Sequence, residues 1–303
     1  MEILSDMVKI AVLLAAYNGV KWLPEQIESI LQQKDVDVTI FVSVDFSTDA
    51  TELWVSELAS SNPRIKALPH GERFGGAGRN FYRLIRDVDF SEFDYIALAD
   101  QDDIWLTDKL IAAHQEILGS GASGYSSNVT AFWPDGRKVL LNKAQQQRKY
   151  DFYFEAAGPG CSYVLKVPDA LEFKRFVIAN WSLVCEVSLH DWLVYAWFRS
   201  SGLSWYIDPV SHMLYRQHSS NQFGANTGIK ALMARLSLLR SGWYRGEVSK
   251  ISSLLADKTQ GLPTSLLKQG KIPSSFLIRN WASLRRRFRD RVFLLVLVVL
   301  GIY

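Results

Sequence analysis

Short, unbroken apolar runs alternate with stretches of helical periodicity through the first part of the chain, which predicts a mainly parallel sheet with helices on both faces. Val8–Ala16 reads as a first strand buried on both sides, because it lacks the in–out alternation of a half-exposed one. Tyr17-Asn18-Gly19 supplies a turn, and Pro24 opens a helix on which Leu23, Ile27, Ile30 and Leu31 share one side. Val38–Asp45 is a second, β-branched strand; Asp49, with Glu52 three residues on, predicts a capped helix to about Ser60. Ile65–Leu68 predicts a short third strand, Gly71–Gly78 a glycine-rich loop, Arg79–Asp87 a helix and Tyr95–Ala99 a fourth strand.

After a helix at about Thr107–Leu118 the pattern loosens. Ser123–Trp133 reads as a strand turned by Pro134-Asp135-Gly136 into Lys138–Leu141. Gly158–Ser162 reads as a loop before another strand, and His190–Phe198 as a strongly aromatic helix. With no internal repeat and no long linker, residues 1–225 predict one catalytic unit and residues 226–303 a helical extension. In that extension Arg279, Arg285, Arg286, Arg287, Arg289 and Arg291 precede the hydrocarbon run Val292–Leu300. The run is too short for the about 20 residues that span a bilayer. A basic helix with an apolar end can instead lie in the interface of an anionic membrane, each Lys or Arg adding about 1 kcal/mol. The competing expectation is a helix packed back on the domain or into a dimer.

Composition narrows the class. A chain of 303 residues, 48% hydrophobic, can bury a large core, and a net charge of +3 gives no reason to expect nucleic acid. Two cysteines, Cys161 and Cys185, make neither a disulfide framework nor a zinc site by themselves and suit a reducing cytosol. Glu2 and Asp6 spoil the positive leader that a secretory signal would place before Val8–Ala16.

The chemistry concentrates where the fourth strand ends, in Asp100-Gln-Asp102-Asp103-Ile-Trp105. Three carboxylates so close call for a cation, and the carboxyl ends of strands in open α/β sheets are where such folds bind ligands. A hard divalent ion carrying a diphosphate is the natural partner. Gly75-Gly-Ala-Gly78 follows the third strand and lacks the G-x-G-x-x-G spacing, which excludes a dinucleotide-binding dehydrogenase.

In order along the chain, Ala15-Ala-Tyr-Asn18, Asp45-Phe-Ser-Thr-Asp49, Gly75–Asn80, Asp100–Trp105 and His190-Asp191-Trp192 resemble the family 2 glycosyltransferases, over about residues 8–220. The Asp-Gln-Asp-Asp-Ile-Trp form and Tyr215-Arg-Gln-His218-Ser-Ser-Asn221 look most like the bacterial rhamnosyltransferase-like branch that builds O-antigen and related surface polysaccharides. The resemblance implies a GT-A fold: a doubly wound, mainly parallel α/β sheet flanked by helices, here with a C-terminal basic and apolar extension. It also implies an inverting transferase.

By that resemblance, Ala16, Tyr17, Asp45, Asn80 and Asp100 bind the donor nucleotide, with Asp100 reaching either the ribose or the ion. Asp102 and His218 hold Mn²⁺ or Mg²⁺, and Asp103 does the same or caps the next helix. Arg79 or Arg216 absorbs diphosphate charge, Trp105 packs on the donor sugar or in the core, and Asp191 is the general base. Val44 and Phe46 stand where the family commonly has the Asp and Gly of Asp-Asp-Gly-Ser, which predicts a reshaped pocket floor.

The expected reaction moves a sugar, rhamnose from dTDP-rhamnose, to a hydroxyl of a polyprenyl-diphosphate-linked saccharide at the inner face of the cytoplasmic membrane. A hexosyl or N-acetylhexosaminyl transferase using a UDP-sugar is the alternative within the class. Outside it stand a nucleotidyltransferase, for which Ala15–Val20 offers too little glycine and no basic residue, and an inactive scaffold.

Overall fold

The computed structural model describes residues 7–218 and 241–303. Ser219–Asn221 of the late motif and the division expected near residue 225 lie outside the described residues. The strands are β1 (Val8–Ala16), β2 (Val36–Val44), β3 (Ile65–Ala67), β4 (Tyr95–Ala99), β5 (Ile104–Trp105), β6 (Gly124–Phe132), β7 (Lys138–Leu141), β8 (Val164–Lys166) and β9 (Trp205–Arg216). The helices are α1 (Leu23–Leu31), α2 (Thr51–Ser61), α3 (Ala77–Asp87), α4 (Lys109–Ser120), α5 (Val167–Ala179), α6 (Trp181–Val184), α7 (His190–Ser200), α8 (Trp243–Leu254), α9 (Ser274–Arg279) and α10 (Phe288–Val299).

The strands form one sheet in the order β3-β2-β1-β4-β8-β6-β9-β5, with β7 beside β6. β1 sits inside it, and because successive side chains point to opposite faces, its unbroken apolar run feeds two cores. Ala11, Leu13 and Ala15 pack with α3, α5 and α7; Ile10, Val12, Leu14 and Ala16 pack with α1 and α4. β1, β2, β3 and β4 are parallel, and the register sets Ala16 opposite Val44 and Leu14 opposite Ala99. The turns carrying Tyr17, Asp45 and Asp100 therefore leave the sheet at one edge.

The second half is mixed. β8 is antiparallel to both β4 and β6, β9 is parallel to β6, and β5 is antiparallel to β9. The two-residue β5 turns the acidic segment back against β9, pairing Ile104 with Leu214 and Trp105 with Met213. That pairing delivers His218, two residues past the end of β9, to the acidic turn after β4.

Val248, Ile251, Leu277, Leu294 and Val298 of the C-terminal helices belong to the same core as α3, α5 and α7. The basic run is not all surface. Arg286 is buried, donating to Ala156 O at 2.6 Å and pairing with Asp151 Oδ2 at 3.5 Å and Glu155 Oε2 at 3.6 Å. This corrects the expectation that the whole arginine cluster faces a membrane: a buried carboxylate pair claims its centre. α10 packs one side on the domain, as the competing expectation has it, and leaves the other side bare. Leu294, Leu297 and Val298 pack inward, whereas Phe288, Val292, Phe293, Val296 and Val299 form an exposed apolar stripe. Among the described residues, no helix is long and apolar enough to cross a membrane.

Candidate active site

A cavity of about 780 Å³ opens at the edge where β1, β2 and β4 end. Ala16, Tyr17, Asp45, Asn80, Asp100, Asp102, Asp191 and His218, about 200 residues apart at the extremes, all line it.

The turns are tied together by their own polar groups. Gln101 closes a reciprocal pair with Tyr17, donating from Nε2 to Tyr17 O at 2.9 Å and accepting Tyr17 N–H on Oε1 at 2.8 Å. Asn18, at φ +45°, accepts Thr48 N–H on Oδ1 at 2.7 Å, linking the turn after β1 to the one after β2. Asp45 accepts N–H groups from Phe46 (2.9 Å) and Phe74 (2.7 Å) on Oδ1 and from Gly75 (2.9 Å) on Oδ2. A carboxylate has about four acceptor sites, so Asp45 anchors the glycine-rich loop and keeps one direction for a ligand N–H. Asn80 lines the cavity but is spent on the scaffold: Nδ2 donates to Ala16 O (3.3 Å) and Ser43 O (3.0 Å), and Oδ1 accepts the Ser43 hydroxyl. Phe46 is half exposed with an ordinary φ and stays out of the cavity lining, so it does not reshape the floor as its place in the motif predicts.

At the acidic end, His218 Nε2 lies 2.6 Å from Asp102 Oδ2, and its ring stacks on Trp22 with centroids 5.2 Å apart. Burial, then the charges of Asp102 and Asp191, push the Asp100 carboxyl up to about 7. Asp102 and His218, a carboxylate and an imidazole in direct contact, are donor types that Mn²⁺ or Mg²⁺ accepts, and Asp100 stands on the same turn. The residues present therefore fit a divalent ion. Asp103 does not join them. It is fully buried, accepts Arg216 N–H on Oδ1 at 3.1 Å, and neither reaches the cavity nor caps α4, whose N-cap position is Asp108. Asp100, Asp103 and Cys161 also approach one another, but burial raises the Asp103 carboxyl and the Cys161 thiol well above their usual values. Neither Asp103 nor Cys161 lines the cavity, so an ion held between them would lie beneath its floor.

Across the cavity, α7 presents Asp191 in its first turn. Burial raises its carboxyl to about 6 against the opposing pull of the Trp192 N–H, which donates to Oδ1 at 2.7 Å, and of Lys143. Two glycines allow this approach. A Cβ on Gly160 would lie 2.3 Å from His190 Nε2 and 3.2 Å from Asp191 Cβ; one on Gly78 would lie 2.4 Å from Ser188 O. His190 itself stacks on Phe81 at 3.8 Å and is kept neutral by burial, its titration pushed down to about 3.

Three expected contacts fall elsewhere. Trp105 is buried in the core under Lys109 Nζ, 3.6 Å from its ring, so the core-packing alternative holds. Arg79 donates to Cys185 O at 3.0 Å and Arg216 to Asp102 O at 2.8 Å; neither lines the cavity, although Arg216 braces the acidic turn from behind. The cations that do line it are Arg73, Lys143 and Arg285. No motif flags them: Arg73 lies in the Gly71–Gly78 loop ahead of Gly75–Asn80, Lys143 follows β7, and Arg285 comes from the extension.

Residues 11–158 match Glycosyl transferase family 2. The chain is 47% identical to the dTDP-rhamnosyl transferase RfbG of Shigella flexneri over 291 residues, which is 96% of this chain and 100% of that protein. The chain belongs to glycosyl transferase family 2. It is also 31% identical, over 52% of its length and 59% of the relative's, to the UDP-Glc:alpha-D-GlcNAc-diphosphoundecaprenol beta-1,3-glucosyltransferase WfgD of Escherichia coli. Residues 1–349 of S. aureus TarS, solved in complex with UDP-GlcNAc, share the fold at a TM-score of 0.59 and 13% identity, covering 91% of this chain and 74% of that one. In this family 2 glycosyltransferase the acidic turn, the glycine loop and the start of α7 thus converge on one cavity, whereas the nearest apparent cations in the motifs do not.

Proposed function

We propose that this glycosyltransferase transfers rhamnose from dTDP-rhamnose, with inversion, to a hydroxyl of a polyprenyl-diphosphate-linked saccharide in O-antigen or related polysaccharide synthesis. The observation that carries the reading is full-length similarity to a dTDP-rhamnosyl transferase in a chain whose cavity gathers Asp45, Asp100, Asp102, His218 and Asp191. Residues 1–225 form the catalytic domain and residues 226–303 its membrane-facing extension.

Ala16, Tyr17 and the remaining acceptor direction of Asp45 take the nucleoside, with Asn80 holding the two strand ends that carry them. Asp102 and His218 would hold Mn²⁺ or Mg²⁺, with Asp100 reaching the ion or the ribose; when bound, the ion neutralises charge on the diphosphate. Asp191 takes the proton of the acceptor hydroxyl. That oxygen bonds to the anomeric carbon as the bond to the diphosphate oxygen breaks on the opposite face, so one displacement inverts the configuration. Arg73 takes the place of Arg79 or Arg216 beside the leaving group.

The test is a panel of dTDP-rhamnose, UDP-glucose and UDP-N-acetylglucosamine with a synthetic diphosphate-linked saccharide. Transfer is expected from dTDP-rhamnose at least tenfold above the UDP-sugars, and NMR should show the inverted anomer. Transfer from a UDP-sugar alone would overturn the donor, and a retained anomer the single displacement.

The apolar stripe of α10, flanked by the exposed Arg289, supports a peripheral position on the cytoplasmic membrane face. Phe293→Asp with Val296→Asp should cut flotation with anionic phospholipid vesicles at least tenfold, without a lower Tm, because both side chains are exposed. Unchanged flotation would place the membrane contact elsewhere.

A further inference from the structure

We infer that Lys143 and Arg285 form an anion subsite that receives the diphosphate of the lipid-linked acceptor, so that the C-terminal extension completes the acceptor half of the active site. This rests on the reaction proposed above and adds the groups that recognise its acceptor.

The donor end of the cavity is built by the turns after β1, β2 and β4. Lys143 and Arg285 line the same cavity from other sources, the segment after β7 and the segment before α10. Among the described residues, Lys143 Nζ has no hydrogen-bond or ion-pair partner; its stem lies beside Gly158, with Cγ 3.6 Å from where a Cβ would stand. Arg285 donates to the Tyr244 hydroxyl at 2.9 Å and approaches Glu155 Oε2 at 3.6 Å. Arg286 and Arg287 add to the positive field at Lys143, and nearby Glu155 is shared by Arg285 and Arg286. Asp151 is already divided between Arg199 and Arg286, and Asp290 is a third carboxylate near Arg285, against Lys143, Arg199, Arg285, Arg286 and Arg287. Cations therefore outnumber carboxylates here, at a wall open to the cavity, and a guanidinium beside an ammonium is a phosphate-binding pair.

Placement selects the acceptor as the source. Asp191 lines the same cavity as Asp100 and Lys143, and the loop beside it, Gly158–Gly160, packs on the Lys143 stem at one end and on Asp191 at the other, so the candidate base adjoins the cationic wall. An acceptor with its hydroxyl at Asp191 puts its phosphorylated end beyond, against Lys143 and Arg285. The chain that carries Arg285 runs directly into α10, whose apolar stripe suits the hydrocarbon tail such an acceptor brings.

The test is calorimetric titration of the whole protein with geranyl diphosphate, with and without saturating dTDP, alongside inorganic pyrophosphate and geraniol. Saturable binding of geranyl diphosphate is expected in the presence of dTDP, weakened at least tenfold by Lys143→Ala and by Arg285→Gln, with dTDP affinity within twofold of wild type. Lys143→Ala removes no side-chain hydrogen bond or ion pair, which covers the case in which Arg285→Gln loosens the extension. Displacement of geranyl diphosphate by dTDP, equal loss of dTDP affinity in the variants, or geraniol binding as well as its diphosphate would overturn the inference. So would pyrophosphate binding as tightly as geranyl diphosphate, which would make the source a free anion. Wild-type binding of geranyl diphosphate without sugar transfer in the donor panel would defeat the proposed function and leave the subsite standing.

Discussion

Asp191→Asn is expected to lower kcat by about 10³, within the range that a positioned general base contributes, while dTDP affinity stays within twofold. The amide keeps the shape of the carboxylate and the contact with the Trp192 N–H but cannot take a proton. The pH profile gives a second readout. Burial penalises the charged form and raises the carboxyl to about 6, so the base form dominates above that pH and is lost below it. The wild-type kcat/KM should therefore rise about tenfold per pH unit below 6 and level off above, and the residual activity of Asp191→Asn should lack that step. The raised titration has the opposite sign for stability: at neutral pH the fold carries a buried charge that burial disfavours, so Asp191→Asn should melt no lower than wild type. A large loss of Tm, or an unchanged limb near pH 6 in the variant, would remove Asp191 from the role of base.

The parts of this fold that were legible are those whose periodicity is local. β1 to β4 and α1 to α4 follow from apolar runs and helical spacing, and the acidic turn follows from β4 being apolar on both faces. β9 was not legible because Asp208, Pro209, Ser211 and His212 interrupt it, and its register against β6 shifts near Asn128; a proline is tolerated at such an irregularity but destroys the pattern from which a strand is read. Without β9 and the two-residue β5, nothing in the sequence says why Trp105 turns into the core while His218 reaches Asp102. Adjacency to a motif misled for the same reason: side chains alternate along a strand, so Trp105, although beside the carboxylates, faces away from them. Lys143 and Arg285 were invisible because they meet only in three dimensions, and Arg285 belongs to a run that reads as a surface feature. Charge clustering in sequence does not separate arginines that face solvent from those that neutralise carboxylates inside the fold, such as the buried Asp151 and the half-buried Glu155.

Asp102→Asn is expected to weaken Mn²⁺-dependent dTDP-rhamnose binding by about a hundredfold and to abolish detectable transfer, while metal-free dTDP binding changes little. The asymmetry follows from how the cavity is divided. Asp45 and the Tyr17–Gln101 pair are held by backbone hydrogen bonds that do not involve Asp102, so the nucleoside end survives the substitution. The acidic end loses both the carboxylate proposed to hold the ion and the anionic partner of His218, whose ring stacks on Trp22. Asp103→Asn is the matched control. Burial already favours the uncharged form of that side chain, and an amide reproduces its acceptor for the Arg216 N–H, so donor binding should fall no more than a few-fold. Calorimetry of both variants with and without Mn²⁺ decides between the two possible ion positions. If Asp103→Asn proved the more damaging, the ion would sit with Asp103 and Cys161 beneath the cavity floor, and the donor diphosphate would have to enter deeper than the Asp102–His218 pair.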